Sequence, residues 1–266
     1  MARAVRTAAI AAALTAGAAV AFPAAAHAAD AEHYYIEIGG TGPTASTPDC
    51  PTTTSSYNEG NKTLPPGSTA ILVCYPATAG PFIGTTGSLL DLTTLQFHPE
   101  ALTAPNYDSS VQQGYQEALR VAEDTHRDHP DATITISGYS QGAQAADQVL
   151  QTIAGGGTGI PFSQVDGMLY ADPMQPGTGL AAQIPKGWGV PGFTSAGAGP
   201  AEFNGIPVAR YCIHGDPICD ASLLNAGGYF KLHPLYPTAG NVITQTLATE
   251  HGGDGIKWRN SDGTPG

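Results

Sequence analysis

The sequence predicts an α/β fold in which a mainly parallel central sheet carries helices on both faces. Short β-branched and aliphatic runs alternate along the chain with longer segments of helical periodicity. This alternation is typical of βαβ units, whose strands pair in parallel. Glycine and proline, 34 and 22 of the 266 residues, cluster between these segments and mark the connecting loops. No internal repeat or linker divides the chain.

Each predicted strand is a short apolar run that ends in turn-forming residues. The predicted strands cover residues 33–38, 69–74, 132–136, 165–170 and 208–213. The predicted helices cover residues 109–128, 141–152 and 239–249. We expect Asp108 or Ser109 to cap the first of these helices. Ligands of such sheets bind beyond the carboxyl ends of the strands, which is where the functional residues are expected.

Residues 176–206 form a long irregular stretch that is rich in glycine and proline and contains Trp188, Phe193 and Phe203. A loop of this length is typical of a lid or a binding loop. A surface insertion that packs on its own aromatic side chains explains the composition equally well.

The N-terminus has the pattern of a secretory signal peptide. Arg3 and Arg6 precede an alanine-rich apolar run over residues 7–21, and Ala26-His27-Ala28 supplies small residues for a cleavage site. The run is too short and too poor in leucine to predict a membrane anchor. We expect residues 1–28 to be removed, residues 29–266 to form one domain, and no transmembrane segment to follow.

The chain is acidic, with a formal net charge of −12 that becomes about −14 once Arg3 and Arg6 leave with the signal peptide. An acidic surface repels phosphate backbones, so no nucleic acid is expected as a partner. The same charge predicts weak adsorption to anionic lipid. The aliphatic content is too high for a disordered chain.

Four cysteines, Cys50, Cys74, Cys212 and Cys219, allow three disulfide pairings. An even number in an exported chain favours disulfides. Closeness in the sequence favours Cys50–Cys74 and Cys212–Cys219. A zinc site would need a ligand cluster such as Cys-x-x-Cys, which the sequence lacks. We therefore expect neither a metal nor another cofactor.

The motif Gly138-Tyr-Ser-Gln-Gly142 lies between a predicted strand and a predicted helix. This context is what a Gly-x-Ser-x-Gly motif needs to form a nucleophile elbow. The sharp turn lifts the serine hydroxyl above the sheet. Strand and helix then pass so closely that the positions two before and two after the serine must lack side chains. We predict that Ser140 is a nucleophile; a structural serine in a tight turn is the alternative.

A serine hydroxyl needs a base, and the base needs an acid that orients it. In folds with this elbow the three residues follow in the order serine, acid, histidine. Asp216 is the best candidate acid because it follows the strand 208–213 within a short loop bounded by cysteines. His233 is the candidate base. His214 precedes the acid and violates the order, and His251 is the reserve.

Three elements found in this order resemble the cutinases: Gly138-Tyr-Ser-Gln-Gly142, Cys212-x-x-x-Asp216-x-x-Cys219 and His233-x-x-Tyr236. The segment 34–42 and the pair Tyr75-Pro76 resemble more closely the PE-PPE-domain serine hydrolases of actinobacteria, a cutinase-like branch. The resemblance covers most of residues 33–237. The interval of 17 residues between Asp216 and His233 is longer than the corresponding interval in cutinases. The resemblance implies a cutinase-like α/β-hydrolase with a loop-rich lid region.

The resemblance further implies a triad of Ser140, Asp216 and His233. It also implies an oxyanion hole from the backbone N–H of Gln141 and from Thr41 in the glycine-rich loop after the first strand. Fixed donors at this place typically contribute about 3–4 kcal/mol each to the stabilisation of the transition state. An ordinary tight turn is the alternative explanation of the loop at Thr41.

These features predict a secreted serine hydrolase that cleaves short- to medium-chain acyl or lipid esters through an acyl-enzyme. An acyltransferase that moves fatty acyl groups onto cell-envelope glycolipids is the main alternative, and a binding protein that kept the fold is another. A protease is disfavoured because the resemblance is to esterases. We expect an ester or lipid substrate, a monomer, and cell-envelope association as an additional option. Five residues are candidates to line an acyl pocket, and packing in the core or in the lid is the favoured alternative for each: Met168, Tyr170, Trp188, Phe193 and Phe230.

Overall fold

A parallel sheet of six strands forms the centre of the molecule in the computed structural model, which describes residues 32–42, 56–91 and 94–266. The strands, labelled β1 to β6, are His33–Ile38, Ser68–Leu72, Thr133–Tyr139, Val165–Tyr170, Val208–Ile213 and Gly255–Arg259. They lie in the order β6-β5-β4-β3-β1-β2, and all pairings are parallel. The predicted mainly parallel sheet is confirmed.

Three helices cover the two faces of this sheet: α1 at Tyr107–Asp128, α2 at Gln141–Ala154 and α3 at Val242–Thr246. Successive side chains of a strand point to opposite faces. Ile134 and Ile136 of β3 accordingly pack in one apolar core with α1 and α2. Met168 and Tyr170 of β4 pack in a second core that includes α3.

Some element boundaries differ from those predicted. The N-cap of α1 is Asn106, whose side chain accepts a hydrogen bond from the Ser109 N–H, so the predicted caps were wrong. The helix predicted over residues 239–249 is only the five residues of α3. Strand β6 was not predicted, and it extends the sheet beyond β5.

Cys212 and Cys219 form the predicted disulfide, with their Cα atoms 5.8 Å apart. Cys74 is also disulfide-bonded. Cys50, with which its pairing is expected, lies outside the described residues, as does the predicted signal peptide. Within the described part of the chain, none of the helices combines the length and the apolar character that crossing a bilayer demands.

Candidate active site

Ser140 occupies a strained turn between β3 and α2. Its backbone angles are φ 57° and ψ −119°, a region that residues other than glycine rarely adopt. A Cβ atom at Gly138 would lie 2.3 Å from the Gly142 carbonyl oxygen, and one at Gly142 would lie 2.1 Å from the Ile38 carbonyl oxygen. The two motif glycines are therefore sterically required, as the spacing of the motif predicts.

The side chains of Ser140, His233 and Asp216 lie in one hydrogen-bonded line. The Ser140 Oγ is 2.8 Å from the His233 Nε2, and the His233 Nδ1 is 2.8 Å from the Asp216 Oδ2. All three residues are buried. The two other downstream histidines lie elsewhere: His214 stacks on Trp258, and His251 lies near Asp166.

Asp216 is held by the short turn that follows β5. The disulfide between Cys212 and Cys219 closes this turn, and the Asp216 N–H donates to the Ile213 carbonyl oxygen. The Asp216 Oδ1 accepts a hydrogen bond from the Ile218 N–H at 3.1 Å, which leaves the Oδ2 for the histidine. The acid is thus fixed through both of its oxygens.

Aromatic rings orient His233. Tyr139 and Tyr229 stack on the imidazole, with ring centroids 5.1 and 5.0 Å away. The Tyr139 hydroxyl also donates to the His233 carbonyl oxygen at 2.6 Å. Burial, with a smaller contribution from Asp216, raises the pKa of Tyr139 and of Tyr229, so both phenols stay neutral around the histidine. Neither tyrosine was predicted from the sequence to have a role.

Thr41 and Gln141 lie with Ser140 on the wall of one cavity. Gln141 is the first residue of α2, so its backbone N–H has no acceptor within the helix. Its side chain is engaged elsewhere, since the amide nitrogen donates to the Thr78 carbonyl oxygen and the amide oxygen accepts from Ser110. The backbone N–H is therefore the donor that Gln141 can offer to a substrate.

The cavity has a volume of about 410 Å³ and a mainly apolar lining. One wall is a small hairpin, Gly189–Val190 paired with Phe193–Thr194, within the stretch predicted to form a lid or an insertion. Asp108 at the start of α1 tethers the hairpin, because its carboxylate accepts from the Thr194 N–H at 2.8 Å. The apolar side chains on the cavity wall include Ile83, Leu180, Ile184, Trp188, Val190, Phe193 and Ile218.

Of the five candidates for an acyl pocket, two line this cavity and three do not. Trp188 and Phe193 belong to its wall. Met168 and Tyr170 are fully buried in the core under α3, because β4 directs them to that face of the sheet. Phe230 is 83% exposed and lies outside the cavity lining. Its neighbour Tyr229, four residues before His233, lines the cavity instead.

A buried ionic cluster holds the loop that follows β4. The Arg210 guanidinium on β5 donates to Asp172 at 2.9 Å and to Asp147 at 2.7 Å. Burial, with the nearby Asp147 carboxylate as a second cause, raises the pKa of Asp172. Asp172 directly precedes Pro173, which lines the cavity, so the cluster fixes the loop after β4. This cluster was not predicted from the sequence.

The sequence profile of the cutinase family, described as "Cutinase", matches residues 63–248. The chain belongs to the cutinase family. The matched segment contains the Ser140, Asp216 and His233 positions and the whole of the cavity wall except Thr41. Membership of the PE-PPE branch stays a prediction. No curated protein matches the chain.

Solved structures show the same fold as this cutinase-family chain. The catalytic core domain of an acetyl xylan esterase from Trichoderma reesei is 22% identical, with a TM-score of 0.50 over 78% of this chain and 91% of that one. A cutinase-like protein from Cryptococcus sp. is 18% identical, with a TM-score of 0.50 over 82% of this chain and 91% of that one. The predicted cutinase-like α/β-hydrolase fold is confirmed.

Proposed function

We propose that the protein is a secreted serine hydrolase that cleaves carboxylic esters with Ser140 as its nucleophile. The observation that carries the proposal is the line of two 2.8 Å hydrogen bonds from Ser140 through His233 to Asp216 at the wall of an apolar cavity. Membership of the cutinase family supports the choice of an ester as the substrate. That family match does not favour acyl transfer over hydrolysis.

The proposed reaction begins when the Ser140 Oγ attacks the ester carbonyl carbon and His233 takes the hydroxyl proton. Asp216 holds the imidazole in the required tautomer and stabilises its charged form. The tetrahedral intermediate collapses as His233 passes the proton to the leaving alkoxide, which departs as the alcohol. Water then attacks the acyl-enzyme, gives a proton to His233 and releases the acid. Ser140 recovers its proton from the imidazole.

The proposed oxyanion hole consists of the backbone N–H of Gln141 and of Thr41. Negative charge develops on the carbonyl oxygen as Ser140 attacks, and fixed N–H donors stabilise it without rearrangement. The free first N–H of α2 and the position of Thr41 beside Ser140 support this assignment. The positive end of the helix dipole acts in the same direction.

The proposed substrates carry a short- to medium-chain acyl group, because the cavity beside Ser140 is apolar and about 410 Å³ in volume. Secretion of the enzyme is supported by the disulfide between Cys212 and Cys219, since such bonds persist in oxidising surroundings.

The first test is the hydrolysis of p-nitrophenyl esters of acetate, butyrate, octanoate and palmitate. We expect turnover by the wild type and a loss of at least about 10⁴-fold in kcat for Ser140→Ala, because the residual rate comes from binding and the oxyanion hole alone. The control is His214→Ala, because His214 lies outside the hydrogen-bonded line of Ser140, His233 and Asp216. We expect this variant to keep its activity. Full activity in Ser140→Ala would refute the proposal.

The second test concerns the acyl chain. Trp188 lines the cavity, whereas Leu224 is equally apolar, 96% exposed and outside the lining. We expect Trp188→Ala to lower kcat/KM for the octanoate ester about 5- to 20-fold relative to the acetate ester, because apolar contact area is lost. Leu224→Ala is expected to leave the ratio unchanged. An equal effect of both variants would place the acyl chain elsewhere.

A further inference from the structure

Two histidines and an aspartate lie close together at the amino ends of the strands, on the opposite side of the sheet from the end that carries Ser140. His33 begins β1, Asp166 is the second residue of β4, and His251 lies in the turn between α3 and β6. One ligating atom of each lies within 4.8 Å of the others. Ser140 follows the carboxyl end of β3, whereas this trio lies at the amino ends of the parallel strands. The proposed hydrolysis gives the trio no role.

The Thr135 side chain and the Gly252 backbone contact the carboxylate of Asp166, and one of its two oxygens still has no hydrogen bond in the part of the chain that the structure describes. Its Oδ2 is 3.8 Å from the His251 Nδ1, but its Oδ1 is buried and has no hydrogen-bond partner among the described residues. Buried polar atoms are nearly always paired, so an unpaired carboxylate oxygen needs an explanation. The His33 Nε2 is 2.8 Å from the Thr135 hydroxyl, and Thr135 pairs with Asp166 across the sheet. The polar side-chain atoms of His33, Asp166 and His251 therefore lie around one point next to the Thr135 hydroxyl.

We propose that His33, Asp166 and His251 bind a divalent transition-metal ion, for which Zn²⁺ is the best match. Two imidazole nitrogens and one carboxylate oxygen are ligands that Zn²⁺ takes, with water in the fourth position. Calcium and magnesium prefer oxygen ligands and do not fit two histidines. Metal–ligand distances of about 2.0–2.2 Å place tetrahedral ligand atoms roughly 3.4 Å apart. The 3.8 Å between His251 and Asp166 is close to that spacing.

The ion joins three segments that are distant in the sequence. His33 and Asp166 lie on strands whose positions the sheet already fixes, with β3 between them. His251 is exposed, on a turn outside the regular elements, and needs only a small side-chain movement to complete the site. Bound metal therefore clamps the connection before β6 to the sheet. Because an ion held only by the folded chain stabilises it, binding raises the unfolding temperature.

The test uses the purified protein without a histidine tag, freed of metal by EDTA. Equilibrium dialysis against Zn²⁺ with elemental analysis is expected to find one saturable ion per chain, and Zn²⁺ is expected to raise the unfolding temperature. His251→Ala and Asp166→Asn are each expected to weaken Zn²⁺ binding at least about tenfold and to abolish the thermal shift. The matched control is His129→Ala, which removes a half-buried histidine whose Nδ1 lies 2.7 Å from the Glu32 carboxylate.

Three results would overturn the proposal. The first is the absence of saturable Zn²⁺ binding by the wild type at micromolar concentrations. The second is binding that persists unchanged in both His251→Ala and Asp166→Asn when circular dichroism shows that they are folded. A loss in His129→Ala equal to that in His251→Ala would show adventitious surface binding and would also overturn it.

Discussion

At the scale of the residue, the geometry of Ser140 depends on Gly142 having no Cβ atom. A Cβ atom there would lie 2.1 Å from the Ile38 carbonyl oxygen and 2.4 Å from the Gly39 carbonyl oxygen. Both are backbone atoms at the end of β1, which is hydrogen bonded to strands on both sides. They cannot move without disturbing the sheet, so the position excludes every side chain.

We expect Gly142→Ala to reduce the free energy of unfolding by about 1–3 kcal/mol or more, because it overpacks a rigid site. Esterase activity should fall with it, since Ser140 would be displaced. Gly159→Ala is the control, because a Cβ atom at Gly159 meets nothing within 4 Å. Urea unfolding of the two variants measures the difference. Equal stabilities would mean that α2 can move away from β1 at little cost.

The sequence indicated which residues are candidates for the reaction, but not which neighbouring residues fix the orientation of their side chains. Ser140 was predicted from its motif, and Asp216 and His233 from chain order and their surroundings. Tyr139 and Tyr229 were missed because stacking depends on the direction of a ring and leaves no spacing in the sequence. The trio of His33, Asp166 and His251 was missed for the same reason, since its members come from three separate segments.

At the scale of the element, the turn after β5 is a small rigid unit built around Asp216. The disulfide joins residues seven positions apart, and Asp216 lies between them. Within this unit, the Ile218 backbone N–H donates to one oxygen of the carboxylate and the histidine contacts the other. The cross-link therefore affects both the stability of the fold and the position of the acid.

The double variant Cys212→Ala/Cys219→Ala is expected to lose about 2–3 kcal/mol of stability, by the chain-entropy estimate for a loop of this size. We also expect a lower kcat with little change in KM, because the proposed role of Asp216 is to orient His233 without touching the substrate. Thermal unfolding and p-nitrophenyl ester kinetics measure the two effects. Unchanged kcat in the folded double variant would show that the turn keeps its shape without the bond.

Elements buried on both sides were predicted best. The bounds of β4 and β5 agree with the predicted strands, and both lie in the middle of the sheet with nearly all of their residues buried. Strand β6 was missed because it is a five-residue edge strand with polar positions, and its pairing with β5 decides its conformation. Helix α3 was predicted too long, since only part of that apolar segment is helical.

At the scale of the whole molecule, the core under α3 contains a buried acid that affects stability. Glu37 on β1 accepts a hydrogen bond from Asn61 with one oxygen, and its other oxygen has no partner among the described residues. Burial raises the pKa of Glu37 to about 8, against a small opposing effect of Asn61. At neutral pH the folded protein therefore holds this side chain in its protonated form.

Because the pKa of Glu37 is about 8 in the folded state and ordinary in the unfolded chain, its contribution to stability is fully present below pH 4.5. That contribution is lost as the pH rises towards 8, at up to about 1.4 kcal/mol per pH unit. Glu37→Gln keeps the shape without the titration. We expect the free energy of unfolding, measured in urea between pH 5 and 8, to decline less steeply in the variant than in the wild type. If the free energy of unfolding changed equally with pH in Glu37→Gln and in the wild type, the raised pKa of Glu37 would be contradicted.

The order of the strands has a consequence for the time course of folding. Strand β1 begins at His33, yet one of its two neighbours, β3, begins a hundred residues later at Thr133. Contacts between such distant segments form slowly, because a long loop must close before they contribute. The turn at Ser140 is packed against the end of β1 through Gly142, so its shape depends on that docking. We infer that the turn at Ser140 is assembled late in folding, and that helix formation alone does not produce its geometry.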